Sequence, residues 1–285
     1  MPFVPAAELV RAAAEGGYAV PSLCVWDSAT MDTVLRVAQD CAAPVILMCG
    51  WAEFGLTSAE VLAATARAVA ERRRAHAALH LDHGRSPESV QTCIAAGFTS
   101  VMLDYSDRPF AENAAALRSV VGLARPAGVS VEGELGAVGR ADDVTAEGGT
   151  LEGLTDPDEA RVFVEQTGVD MLAVAIGNGH GIYKARPRLD FGLLAELRAA
   201  AGVPLVLHGG SGTPPDDLER AISLGIAKVN VASELVHAVR TSLTDNWQAG
   251  RSLWVPFALR DAMQAMAEVV RRWFEMTGAA GRAGQ

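Results

Sequence analysis

Positive charge, cysteine, lysine and long apolar runs are all scarce in this 285-residue chain. The net charge is −10, which removes the basic footprint that nucleic-acid binding requires. An anionic substrate therefore has to be captured locally, by backbone amides, against an unfavourable overall field. Only two lysines occur, Lys184 and Lys228, so a lysine nucleophile has two candidates. The four cysteines, Cys24, Cys41, Cys49 and Cys93, form no CxxC pair or paired framework, and a reduced protein of the cytoplasm is the simplest expectation. Apolar stretches such as Met171–Ile176 fall far short of the roughly 20 residues that span a bilayer, so no membrane partner is expected. Met1–Pro5 has neither the charged nor the apolar segment of a secretion signal. What the chain does have is apolar side chains, 50% of the total, ample for a large core.

Those apolar residues alternate between strand-like runs and helical stretches. The runs are Tyr18–Val25, Pro44–Cys49, Ala77–Asp82, Thr99–Leu103, Val129–Glu134, Asp170–Ala175, Val203–His208 and Ile226–Val231. Stretches rich in Ala, Leu, Glu and Arg separate them, several opening on cap or proline signals such as Ser86-Pro87-Glu88-Ser89. Continuous apolar strands between helices imply a parallel sheet covered on both faces. Eight such units, with a further helix over Pro256–Thr277, predict an α/β fold: a (β/α)8 TIM barrel with an extra C-terminal helix. No linker interrupts 1–285, so a single domain is expected, with 278–285 as a frayed tail. The polar residues support a closed barrel over an open doubly wound sheet. Asp82 and His83 end strand 3, Asp104 strand 4 and Glu134 strand 5. Asn178–Gly181 follow strand 6, His208 ends strand 7 and Asn230 nears the end of strand 8. A barrel keeps its chemistry on that rim.

Of six histidines, three sit beside glycines at strand ends: His83, His180 and His208. Three neutral imidazoles from separate strands suit a zinc ion with one position open to substrate. Each alone is more often a satisfied core histidine than a ligand; their common rim is what favours a metal. Asp82, beside His83, suits a general acid/base, or a capping or ligand-orienting role. Glu132 and Glu134 share one strand face by the period of two, and inward carboxylates need a partner. Glu134 and Asp104 are thus candidates for an alternate metal position or for orienting ligands. Gly209-Gly210-Ser211-Gly212 ahead of a Pro-initiated helix, and Asn230-Val231-Ala232-Ser233 ahead of the next, resemble phosphate cradles; turn chemistry with a serine cap is the plainer alternative.

In His80–His83, Ser100–Asp104, Val129–Gly136, Thr167–Gly177 with His180-Gly181, Leu205–Gly212 and Lys228–Ala232 the chain resembles the class II, zinc-dependent fructose- and tagatose-bisphosphate aldolase family. The resemblance covers nearly the whole sequence. It implies a lyase that reversibly cleaves a phosphorylated ketose, a 1-phosphate or 1,6-bisphosphate, to dihydroxyacetone phosphate and an aldehyde through a metal-stabilised enediolate. It further implies one Zn2+ on His83, His180 and His208, Asp82 as catalytic acid/base, and Asp104 and Glu134 as secondary metal positions. Gly181, Gly209, Gly210, Ser211, Asn230, Val231, Ala232 and Ser233 become the ketose-phosphate contacts. A monovalent cation (Na+ or K+) near the phosphate and a homodimer or homotetramer are also implied.

The loop after strand 5 carries Asp142 where the family has a proton-exchanging glutamate. Cys24 and Gly50 stand where an asparagine and a serine are usual, with Trp26 and Trp51 nearby. The half of the site for the ketose phosphate is therefore intact, and the half for the aldehyde is altered. Three other readings compete: a Schiff-base aldolase using Lys228, a metal-dependent sugar-phosphate isomerase, and a non-catalytic sugar-phosphate-binding barrel.

Overall fold

In the computed structural model, residues 3–140, 153–183, 185–251 and 254–284 are described. Eight parallel strands close a barrel: β1 (Val20–Cys24), β2 (Val45–Gly50), β3 (Ala77–Gly84), β4 (Ser100–Leu103), β5 (Ser130–Leu135), β6 (Met171–Val174), β7 (Leu205–Leu207) and β8 (Ile226–Val231). They follow one another in chain order around the barrel, and β1 closes it on β8 with Val20 opposite Lys228. Every residue of β1, β2, β5 and β8 is buried. Burial on both faces is why β2 reads as an unbroken apolar run, while β5 and β8 carry their polar residues, Glu132, Glu134, Lys228 and Asn230, in buried positions.

The covering helices are α2 (Ser28–Asp40), α3 (Ala59–Arg73), α4 (Pro87–Ala96), α5 (Phe110–Ala124), α6 (Pro157–Thr167), α7 (Phe191–Ala201), α8 (Pro215–Ser223) and α9 (Ser233–Gln248), with α10 (Val255–Met276) packed beyond them. Local chemistry starts and stops them. Asp27 and Ser86 cap α2 and α4 in reciprocal capping boxes, and Pro87 opens α4. The expected (β/α)8 barrel with an additional C-terminal helix is thus the observed fold.

Two features differ from expectation at the opposite mouth of the barrel. A helix not foreseen, α1 (Ala6–Gly16), precedes β1. It lies across the strand N-termini: Val4 N–H donates to Ala77 O, Ala7 N–H to Ser130 Oγ, and Arg11 pairs with Asp170 at 3.0 Å. Its Ala6, Leu9, Val10 and Ala13 close the bottom of the core. The expected frayed tail is a correction. Within 278–284, Gly281 N–H donates to Cys41 O at 2.9 Å and Ala283 N–H to Ala42 O at 2.7 Å. Small residues let this segment lie flat on the end of α2, so its backbone groups find partners there.

Candidate active site

Adjacent residues of a regular strand face opposite sides, so Asp82 and His83 should not share a site. The pairing of β3 with β4 slips between Leu81 and Gly84, and His83 adopts a left-handed φ of 45°. Strained backbone of this kind is characteristic of functional positions. The irregularity turns both side chains toward the rim. There the ring nitrogens of three histidines converge: His83 Nε2 lies 3.2 Å from His180 Nε2 and 3.1 Å from His208 Nδ1.

The remaining ring nitrogens are held from behind. His83 Nδ1 donates to Asp104 Oδ2 at 2.8 Å, His208 Nε2 donates to Glu132 Oε1 at 2.9 Å, and the backbone of Val138 hydrogen-bonds His180. A carboxylate only accepts, so His83 and His208 each carry a proton on the outer nitrogen, and the inner nitrogen is the one that can bind a metal. Ring nitrogens 3.1 Å apart need a shared proton or a cation between them. Nitrogens about 2.0–2.1 Å from a tetrahedral zinc stand about 3.3 Å apart, so the donor set fits zinc. Beside them, Glu134 Oε2 is buried without a hydrogen-bond partner among the described residues, 3.6 Å from His208 Nδ1. Ligand atoms of His83, Asp104 and Glu134 form a second group compact enough for a metal.

The electrostatics also call for positive charge. Burial opposes ionisation of His83, yet Asp82, the hydrogen bond to Asp104 and Glu134 outweigh it and raise its pKa to about 10. Burial, with the neighbouring His208 and His83, lowers His180 to about 4, leaving it the neutral imidazole a metal needs. Burial pushes Glu134 up to about 7. Burial disfavours the Asp82 carboxylate too, but His83, His208 and Lys228 hold it below its usual value. Asn230 Nδ2 donates to Asp82 Oδ1 at 2.9 Å and fixes its direction.

Asn230 was expected among the phosphate contacts. Its side chain joins the carboxylate network, also accepting from Lys228 Nζ at 2.7 Å, while its carbonyl accepts from Gly210 N–H at 2.9 Å. Lys228 lies fully buried, 2.7 Å from Glu132 Oε2. It therefore bridges Glu132 and Asn230, which in turn hold His208 and Asp82. Lys228→Met strands a buried carboxylate, and such losses cost about 3–5 kcal/mol. Thermal or denaturant unfolding of this variant should show that loss, and borohydride with substrate should trap no adduct on wild-type Lys228.

The two glycine-bearing loops lie side by side. Gly209 has a φ of 64°, and a Cβ there would meet Gly179 O at 2.1 Å, so only glycine fits. Tyr183 Oη accepts from Gly179 N–H at 2.7 Å and donates to Gly209 O at 3.2 Å, tying the loop of His180 and Gly181 to this one. Ser233 does not cap α9. Ala232 holds the cap position, with no side-chain acceptor, and Val231 is the buried end of β8. The first turn of α9 is capped from the neighbouring loop, where Ser211 Oγ accepts from Glu234 N–H at 3.2 Å. Glu234, unforeseen, accepts from Gly212 N–H at 2.7 Å and from Trp273 Nε1 at 3.0 Å, and pairs with Arg272 of α10. Glu234→Gln should raise KM for a phosphorylated substrate about tenfold with little change in kcat, as steady-state kinetics will read.

On the other side of the rim, Gly50 leaves room for nothing more: a Cβ would lie 2.5 Å from Asp82 O. Glu53, also unforeseen, reaches into this region, accepting from Gly50 N–H at 2.7 Å with Cys24 Sγ at 3.7 Å. Burial, then Glu53, raises the Cys24 thiol well above its usual value, so it is no nucleophile. The loop after β5 pairs Gly139-Arg140 with Gly179-His180 in a short parallel ladder; Asp142 and Lys184 lie outside the described residues. An open cavity of about 420 Å³ runs from His83, His180, Asp104 and Glu134 out to Trp51 and Arg85.

A parallel barrel with convergent imidazoles and an oriented carboxylate at its C-terminal rim is the arrangement of an α/β-barrel enzyme with a site that could hold a metal. Comparison with known proteins narrows the class. The profile of the class-II fructose-bisphosphate aldolases matches residues 4–282, and the chain belongs to that family: it is an aldolase, a carbon–carbon lyase. The YdjI aldolase from Escherichia coli K12 is 33% identical, with 99% of each chain covered and a TM-score of 0.88. A structure from Coccidioides immitis, described as a candidate fructose-1,6-biphosphate aldolase, is 30% identical over 97% of this chain and 96% of that one, TM-score 0.87. The fructose-bisphosphate aldolase of Campylobacter jejuni, 22% identical over 98% and 96%, shares the fold at a TM-score of 0.80.

Proposed function

We propose that the enzyme is zinc-dependent and reversibly cleaves a ketose 1-phosphate to dihydroxyacetone phosphate and an aldehyde other than glyceraldehyde 3-phosphate. The convergence of His83, His180 and His208 beside an oriented Asp82 carries this reading. These three histidines would hold the ion, with Asp104 and Glu134 as an alternate position. When bound, zinc supplies Lewis-acid polarisation of the ketone and stabilises the negative charge that builds on the substrate.

The rest falls to the chain's own groups. Gly181, Gly209, Ser211 and the start of α9 at Ala232-Ser233 receive the phosphate through backbone N–H groups, while Gly210, its own N–H given to Asn230 O, keeps the turn close against Val229. Asp82, ionised and aimed by Asn230, takes the proton of the C4 hydroxyl during cleavage and returns it to the aldehyde oxygen during condensation. Asp142 is assigned proton exchange on the ketose fragment. The pairing of Lys228 with Glu132 disfavours a Schiff base.

The reading includes a homodimer or homotetramer, in keeping with the exposed Trp247 of α9, Phe257 of α10 and Trp254 just ahead of α10, and a location in the cytoplasm, in keeping with four free cysteines. Cleavage rates on fructose 1,6-bisphosphate and on a panel of ketose 1-phosphates test the substrate. A 1-phosphate ketose should be turned over at least as fast as the bisphosphate, and a clear preference for the bisphosphate would sink this part of the proposal.

A further inference from the structure

The rim is divided. The phosphate loops follow β6, β7 and β8, and the histidines and Asp82 sit at its middle. The cavity opens on the far side, where Trp51 follows β2 and Arg85 follows β3. A ketose held by its phosphate at the first loops therefore extends its aldehyde end toward Trp51 and Arg85. The Arg85 guanidinium lies over the Trp51 ring at 3.7 Å. Stacking uses its face and leaves the in-plane N–H donors available, and Arg85 makes no ion pair among the described residues. It is the one arginine or lysine among the described residues lining this cavity.

The remaining charge there is negative. Asp107 lines the same space, and Asp104 is committed to His83. A single guanidinium matches a carboxylate one to one in a bidentate pair. A dianionic phosphate at the same place would keep an unbalanced charge beside Asp104 and Asp107. An uncharged terminus would leave a stacked, unpaired arginine with no ligand to read.

Resting on the aldolase reading above, we propose that the aldehyde fragment ends in a carboxylate, and that Arg85, held by Trp51, receives it: the acceptor is an aldehyde acid. Condensation with dihydroxyacetone phosphate tests this with three acceptors, namely succinic semialdehyde, uncharged glyceraldehyde and glyceraldehyde 3-phosphate. Wild type should favour the acid over the uncharged acceptor about tenfold or more in kcat/KM. Arg85→Met should reduce that preference at least tenfold, and Arg85→Lys should restore part of it. Preference for the uncharged or phosphorylated acceptor, or an Arg85→Met variant that slows every acceptor by the same factor, overturns the proposal.

Tryptophan fluorescence during titration with 4-hydroxybutyrate gives a readout that needs no turnover. A saturable change should appear in wild type and vanish in both Trp51→Phe and Arg85→Met; no saturable change in wild type counts against the carboxylate site. Absence of condensation with any acceptor would defeat the aldolase reading, and the titration would still decide the site.

Discussion

Asp82→Asn is expected to lower kcat by about 10²–10⁴-fold, the usual worth of a positioned acid/base, with zinc content and KM for the ketose phosphate little changed. The substitution keeps the shape that Asn230 Nδ2 contacts at 2.9 Å but removes the carboxylate proposed to move the proton. Zinc analysis by mass spectrometry alongside steady-state kinetics separates the two effects. A variant that loses metal together with rate would make Asp82 a ligand-orienting residue, and one that keeps full turnover would remove it from the chemistry altogether.

Removing a histidine should do more. His180 is a more accessible choice than His208, which is fully buried against Glu132 and whose loss risks the core network. His180→Ala should bring bound zinc from about one ion per chain to near none. Lewis-acid stabilisation is worth several kcal/mol, so turnover should fall on the order of a thousandfold or more. Asp104→Asn is the graded comparison. It alters the group behind His83 Nδ1, whose other oxygen accepts from Ser106 N–H and Oγ, and such partners typically contribute 10–100-fold in metal affinity. Equal behaviour of the two variants would mean that Asp104 is a ligand in its own right.

The barrel and its reactive rim were legible in the sequence for a physical reason. Buried parallel strands read as unbroken apolar runs, and glycines beside His83, His180 and His208 mark the places where those strands break at the rim. What was not legible depended on geometry that no local pattern encodes. The slip in β3 that turns adjacent Asp82 and His83 to one side shows only in the pairing with β4. Glu132 was visible as an inward carboxylate, but its partners, His208 and Lys228, lie 76 and 96 residues away. Glu53, Glu234 and Arg85 look like ordinary surface charges until the loops carrying them are placed. Helix α1 had a signal, a proline ahead of an alanine-rich run with Gly17 at its end. The apparent loss of polar groups at Cys24 and Gly50 is offset by Glu53, which enters from the turn after β2.

The central claim is that three histidines make one zinc ion the electrophile of a carbon–carbon cleavage. The direct measurement returns zinc in known increments to chelator-stripped protein while following release of dihydroxyacetone phosphate. Turnover should be absent in the stripped protein, rise in proportion to added zinc, and level off at one ion per chain. Full turnover in the stripped protein, with borohydride trapping substrate on Lys228, would contradict it.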